Sequence, residues 1–277
     1  MQKIPFPNVF THDKHIVDFN WLVEKLREHS PFTFVRFSDG EMEILHNRKL
    51  EISGAGVAWH KGASKFMYPN YDHKKFNPES DGELREALLE SARFRNDFYI
   101  KGIPAHHNDA SLDRDFMIQL NSGIENLTYA DLLINANYKR FIAEVLPLIR
   151  QRENVAVIAN YRANVRILNE MWEFLPLPDN AFDSFSSVTE QLTLRLENLP
   201  PGHIVLSSAS SLSNVLGRRL RTLRPDLTFI DVGTALHPHL NLQDSKRLYL
   251  SQDLTWHPRN WRQKLAYAMS SSKRFSW

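Results

Sequence analysis

The stretch Phe32-Thr33-Phe34-Val35-Arg36-Phe37-Ser38-Asp39-Gly40-Glu41 organises the reading of this chain. From Phe32 to Phe37 it alternates and is rich in aromatic and β-branched residues, the pattern of a buried strand. The strand runs into Ser38-Asp39-Gly40, a turn in which glycine tolerates backbone angles that other residues resist. Glu41-Met42-Glu43-Ile44-Leu45 then opens a helix. Two carboxylates, Asp39 and Glu41, are thereby set on a tight turn at the carboxyl end of a strand, where open α/β sheets place their ligands. Arg36 adds a cation just before them.

Carboxylates at that spacing can aim oxygens at one hard cation, and Mn²⁺ or Mg²⁺ prefers oxygen ligands shared with substrate phosphates. The plainer reading is a turn whose Asp39 caps the next helix, with Glu41 in its favourable first turn. Asp81-Gly82-Glu83 has the same spelling but no strand before it, and it opens the helical Leu84–Leu89 run as an ordinary helix start. The preceding strand is what separates the two.

Outward from this stretch, Ile16, Phe19, Leu22, Val23 and Leu26 fall at helical spacing, which makes residues 1–30 an N-terminal helical extension capped at Thr11 or Asp13. Leu50 to Pro78, with Gly54, Gly56, Gly62 and many aromatics, reads as a long irregular loop. A helix over 83–93 leads to a second strand over 97–104. Its following loop, Ala105-His106-His107-Asn108-Asp109, is a poor metal site, because neighbouring side chains on an extended segment point opposite ways. Helices over about 112–121 and 138–150 follow. Val155–Ala159 is a continuous apolar run, the mark of a strand buried on both faces. It ends at Asn160 and Tyr161, and the spacing then predicts a helix from about Asn164 to Phe174. A short segment over 181–185, a helix near 188–197, a strand at His203–Ser207, a helix through Arg221 and a last strand at Leu227–Asp231 complete the pattern. Alternating strands and helices predict a single α/β domain over 1–277, a Rossmann-like three-layer sandwich with a mostly parallel sheet.

The 277 residues, 42% hydrophobic, suffice for one large core. No apolar run approaches a membrane span, and Met1-Gln2-Lys3-Ile4-Pro5 has no signal-peptide core. Absence of cysteine excludes disulfides, thiolate metal sites and thiol nucleophiles. A cytoplasmic location is the default expectation. A formal charge of +2 is too small to imply nucleic acid. The basic Arg218-Arg219-Leu220-Arg221 run reflects either anionic substrates or a solvated face.

A second place for chemistry is Ser207-Ser208-Ala209-Ser210-Ser211, between a strand and a helix. Small hydroxyl residues there leave backbone N–H groups and a helix N-terminus to receive an anion. The alternative is a simple cap by Ser210 or Ser211. The turn has neither the Walker pattern nor a dinucleotide fingerprint. His237 and His239 follow the last strand. His237 there is a diphosphate contact, an acid/base, or a loop histidine in water. Trp256, His257 and Trp261 read as packing.

Phe34-Val35-Arg36-Phe37-Ser38-Asp39-Gly40-Glu41 resembles the Arg-Phe-Gly-Asp-Gly-Glu signature of the GT-D fold glycosyltransferases, with Ser38 in place of the usual glycine. Other passages follow in the family's order. Ala130-Asp131 with Asn135-Ala136-Asn137-Tyr138 is similar to a family segment, and Ser207–Leu216 matches a strand–Gly-Pro–helix passage with Ser210-Ser211 at Gly-Pro. Asp231-Val232-Gly233-Thr234-Ala235-Leu236 resembles a family "Asp-Val-Gly-Ser-Ala-Leu" segment, followed here by His237 where the family has Asp. Lys246-Arg247-Leu248-Tyr249 is similar to a later Arg-x-Tyr. The likeness spans most of residues 32 to 250.

The resemblance implies a GT-D-like fold and a metal-dependent glycosyltransferase that moves a sugar from a nucleotide-diphosphate sugar, a UDP-sugar first among them, to a glycan acceptor. Asp39 and Glu41 would hold Mn²⁺ or Mg²⁺, and with His237 they form the expected catalytic set. Arg36, Asn160, Tyr161, Ser208, Ser210 and Asp231 form the expected substrate-binding set. Glu43, Asp109 and His237 are the candidates for a general base. Two alternatives stand beside this: a non-catalytic nucleotide- or sugar-binding module, and a metal-dependent phosphohydrolase. A homo-oligomer is compatible with all three.

Overall fold

The computed structural model describes residues 12–54, 56–59, 62–64, 69–104, 110–134 and 137–242. Helix α1 (His12–Arg27) leads into strand β1 (Thr33–Arg36) and the short helix α2 (Asp39–Leu45). Strands β2 (Leu50–Ser53), β3 (Gly56–Trp59), β4 (Gly62–Ser64) and β5 (Lys74–Phe76) follow. Next come α3 (Gly82–Arg93), β6 (Tyr99–Ile103), α4 (Ala110–Asn121) and β7 (Leu127–Tyr129). Helices α5 (Tyr138–Arg140) and α6 (Leu146–Arg150) are joined by a π-helical turn over Phe141–Val145. The chain continues through β8 (Val155–Asn160), β9 (Glu173–Leu177), α7 (Phe185–Glu197), β10 (Ile204–Ser207), α8 (Ser211–Leu223) and β11 (Thr228–Asp231). A 3₁₀ segment over Gly233–Leu240 is the last described element.

Seven strands form one sheet in the order β7-β6-β1-β11-β10-β8-β9, and every neighbouring pair is parallel. The expected α/β sandwich is therefore the observed one. The apolar runs alternate between two cores. Val35, Ala156, Ile158, Val205 and Phe229 face the core shared with α2, α3, α7 and α8. Phe34, Val155, Val157, Ala159, Leu206 and Ile230 face the other, with α1, the π turn and α6. Both faces are apolar because both are covered, as parallel sheets require. Helix α1 is a wall of this second core: Phe19, Leu22, Val23 and Leu26 are buried in it, and Thr128 on β7 hydrogen-bonds the buried Asp18.

Two expectations need correction. The irregular loop at Leu50–Pro78 holds a second, antiparallel sheet in the order β4-β3-β2-β5. Its strands run only three or four residues, too short for a visible alternation. The helix expected over 164–174 is a 3₁₀ turn at Val165–Ile167 followed by edge strand β9. Pro176 is tolerated in β9 because an edge strand leaves one side of its backbone unpaired. The stretches around His106–Asp109, Lys246–Tyr249 and Trp256–Trp261 lie outside the described residues.

One buried cation gives a test of the packing. Lys101 on β6 is 1% exposed, and its ammonium donates to the Ala92 and Phe94 carbonyls at the end of α3. Burial pushes its pKa down from 10.5 to about 7. The folded protein then binds fewer protons than the unfolded chain across that interval, so stability rises with pH through it. Urea unfolding at a series of pH values is expected to show wild type gaining stability between about pH 7 and 10 relative to Lys101→Met. Parallel pH profiles would refute this.

Candidate active site

In this strand order the chain runs outward from β1 through β6 to β7, and later returns to β1 from the opposite edge through β10 and β11. The β1/β11 boundary is thus a switch point, and a cleft opens at the carboxyl ends there, as such sheets dictate. Arg36, Asp39 and Glu41 line it from β1 and α2, and Asn160 from β8. Ser208 and Ser210 line it from the β10–α8 turn, and Asp231 and His237 from β11 onward. Eight residues spread from 36 to 237 in sequence converge on one cleft.

Arg36 forms its floor. Its guanidinium lies 3.3 and 3.4 Å from the two Asp231 carboxylate oxygens, and Arg36 Nη1 is 3.5 Å from the Ala130 carbonyl. Burial pushes the Asp231 carboxyl above its usual range, with the Arg36 charge pulling only partly against it. Gly233 stands at φ +49°, and a Cβ there would collide with the guanidinium. The glycine of Asp231-Val232-Gly233 thus satisfies both a left-handed backbone and a close approach. Helix α8 is drawn onto the same place: Asn214 donates to the Arg36 carbonyl at 2.8 Å, and Gly217 lets the helix lie on Val35 and Phe229.

The two carboxylates of the opening stretch have different surroundings. Asp39 is exposed at the start of α2, whose N-cap is Ser38, so Asp39 is not the cap. Glu41 is 6% exposed. Its Oε1 lies 2.5 Å from the Lys74 ammonium and accepts the Ser211 hydroxyl, while its Oε2 accepts the Ser38 amide at 3.1 Å. Burial pushes the Glu41 carboxyl up, but Lys74 and Ser211 outweigh it and hold the pKa below the usual value. A divalent ion shared by Asp39 and Glu41 does not fit this donor set, since Glu41 is already neutralised by a cation. Among the described residues no group of three or more His, Asp or Glu side chains is placed to hold a metal.

No serine side chain caps α8 at the β10–α8 turn. Ser210 is the N-cap residue of α8, yet its side chain makes no capping bond; its Oγ lies 3.5 Å from Lys74 Nζ. Its backbone stands at φ 50°, ψ −139°, a conformation that favours glycine. That is the position where the resemblance has glycine. Strain of this kind costs about 1–3 kcal/mol. Ser210→Gly is expected to raise stability by about 1 kcal/mol in urea unfolding, after the extra freedom glycine gives the unfolded chain. A loss of stability would show that the serine side chain supports the fold.

Ser208 Oγ donates to the Gly233 carbonyl at 2.6 Å and lies 2.8 Å from His237 Nε2. With the hydroxyl proton on Gly233, the imidazole N–H donates to Ser208. Asn160 is held by Asp179 at 2.9 Å and accepts the Arg162 amide at 3.1 Å. Tyr161, expected at the substrate, does not line the cleft; it is exposed and stacks under Arg162 at 4.6 Å. Of the expected bases, Glu43 is buried beside Arg48 and lies away from the cleft, Asp109 is outside the described residues, and His237 lines the cleft. Lys74, Tyr71, Asn180 and Phe182 complete the walls without having been singled out in the sequence. Lys74 sits in the stretch that reads as a loop, so no local pattern marks it.

The fold is a Rossmann-like α/β sandwich with a cleft at the carboxyl ends of its parallel sheet. Two solved structures share this fold, each with 14% sequence identity and a TM-score of 0.50, over 88% of this chain and 92% of theirs. One is domain of unknown function 1792, described as highly conserved and as having a distinct glycosyltransferase fold; the other is its selenomethionine-substituted form. No protein-family model matches the sequence, and no curated protein does. No helix among the described residues is long and apolar enough to cross a membrane.

Proposed function

We propose that this protein transfers a sugar from a nucleoside diphosphate donor, a UDP-sugar first among them, to a hydroxyl of a carbohydrate acceptor. The observation that carries this reading is the convergence at the β1/β11 switch point of Arg36, Asp39, Asn160, Ser208, Ser210 and His237, in a glycosyltransferase-type fold. In this reading Arg36, Ser208 and Ser210 receive the diphosphate at the N-terminus of α8, where donors and the helix dipole favour an anion. Asn160 faces the nucleoside. The exposed Asp39 takes the proton of the acceptor hydroxyl as its oxygen bonds to the anomeric carbon. The bond from that carbon to the phosphate oxygen breaks, and the nucleoside diphosphate leaves. On donor binding the Ser208 hydroxyl turns from the Gly233 carbonyl to the phosphates, while the His237 N–H keeps its bond to the Ser208 oxygen.

Incubation with a panel of nucleotide sugars and oligosaccharides, read by mass spectrometry, tests the reading. Sugar appearing on an acceptor supports transfer. Free phosphate from the donor would instead support hydrolysis, and unchanged donor despite measurable binding would support a binding module.

A further inference from the structure

Lys74 sits against Glu41, one of the two carboxylates expected to hold a metal ion. It lies on β5 of the small antiparallel sheet and is 5% exposed, yet it lines the cleft. Its ammonium is 2.5 Å from Glu41 Oε1, donates to Ser211 Oγ, is 3.5 Å from Ser210 Oγ and lies 5.0 Å from the centre of the Phe182 ring. The opening stretch is shaped to admit it, because a Cβ at Gly40 would come within 3.2 Å of Nζ. Asp39-Gly40-Glu41 therefore supplies a carboxylate that neutralises the ammonium and a glycine that makes room for it. A divalent ion on Glu41 would have to displace Lys74 or crowd a second cation against it, which like-charge repulsion opposes.

We infer that the Lys74 ammonium takes the electrostatic place of a divalent ion on Glu41, and that Lys74 and Arg36 together receive the donor's diphosphate without one. The inference rests on the donor reading proposed above. Lysine acts here as a compact point charge, a role it has at many phosphate sites. Ser210 and Ser211, which Lys74 touches, open α8 and extend the same anion-receiving surface.

Calorimetric titration of the full chain with uridine diphosphate, in EDTA and then with excess Mn²⁺, tests this. Wild type is expected to bind in EDTA with an affinity within about threefold of that in Mn²⁺. Lys74→Met is expected to weaken binding in EDTA by about tenfold or more, the loss of one charge-assisted contact. Lys74→Arg, which keeps the charge, is expected to bind more tightly than Lys74→Met. Should Lys74→Met unfold because Glu41 is stranded, the double variant Glu41→Gln/Lys74→Met removes both charges and serves in its place. A wild-type affinity that rises about tenfold or more with Mn²⁺, or a Lys74→Met variant that binds like wild type in EDTA, would overturn the inference and leave the donor reading standing. Failure of uridine, guanosine and adenosine diphosphates to bind under either condition would overturn both.

Discussion

Replacing Arg36 by methionine is expected to destabilise the protein by about 3–5 kcal/mol and to abolish nucleoside diphosphate binding. The side chain is almost wholly enclosed, and it faces an Asp231 carboxylate with 3% exposure. Removing one member of such a pair strands the other charge in a poorly solvated site, which is far more harmful than the net worth of the pair. The stranded Asp231 has one escape, protonation, and burial already pushes its carboxyl up with Arg36 in place. Without the guanidinium that shift grows. A folded-state value above the unfolded one means that stability falls as pH rises through the interval between them. The deficit of Arg36→Met is therefore expected to be small in acid and largest near neutrality. Urea unfolding at several pH values, with calorimetry for the nucleotide, measures both. Arg36→Met/Asp231→Leu should recover much of the stability and none of the binding. A single variant within about 1 kcal/mol of wild type at neutral pH would show that the pair does not organise the cleft.

Replacing Asp39 by asparagine is expected to lower turnover by about 10²–10⁴-fold while leaving uridine diphosphate affinity within about twofold and stability nearly unchanged. Asp39 is exposed, and the helix it begins is capped by Ser38, so neither packing nor capping is lost. What asparagine cannot do is accept a proton. A metal-ligand role would give a different result, a fall in Mn²⁺-dependent donor binding, so the division between binding and turnover distinguishes the two. Asp81→Asn is the control. Asp81 also precedes a helix, where it accepts the Asn77 amide at 2.7 Å and a bond from Ser80, away from the cleft. Full turnover in Asp39→Asn would remove Asp39 from the chemistry.

What the sequence determined by itself is the parallel sheet and the places where its strands end. Val155–Ala159, Ile204–Leu206 and Phe34–Val35 are apolar without interruption because both faces of each strand are covered, and no surface helix or half-exposed strand shows that pattern. Once those strands are placed, the residues just beyond them, Asp39, Asn160, Ser208, Ser210 and His237, must lie at one end of the sheet. Local patterns failed where local energies are weak. Ile167, Leu168 and Trp172 suggest a helix, but pairing of Glu173–Leu177 with Ala156–Asn160 outweighs that preference and makes an edge strand. The short strands between Leu50 and Phe76 likewise exist because they pair with one another. Only the tertiary structure decided the partner of Glu41. Lys74 lies 33 residues from Glu41 and 137 from Ser211, and the packing of the small sheet against α2 and the 3₁₀ turn at Ala181–Ser184 brings the three together. A carboxylate in a turn is equally suited to a metal ion or an ammonium. Which cation it meets depends on what the fold places within 3 Å, and spacing along a chain carries no record of that.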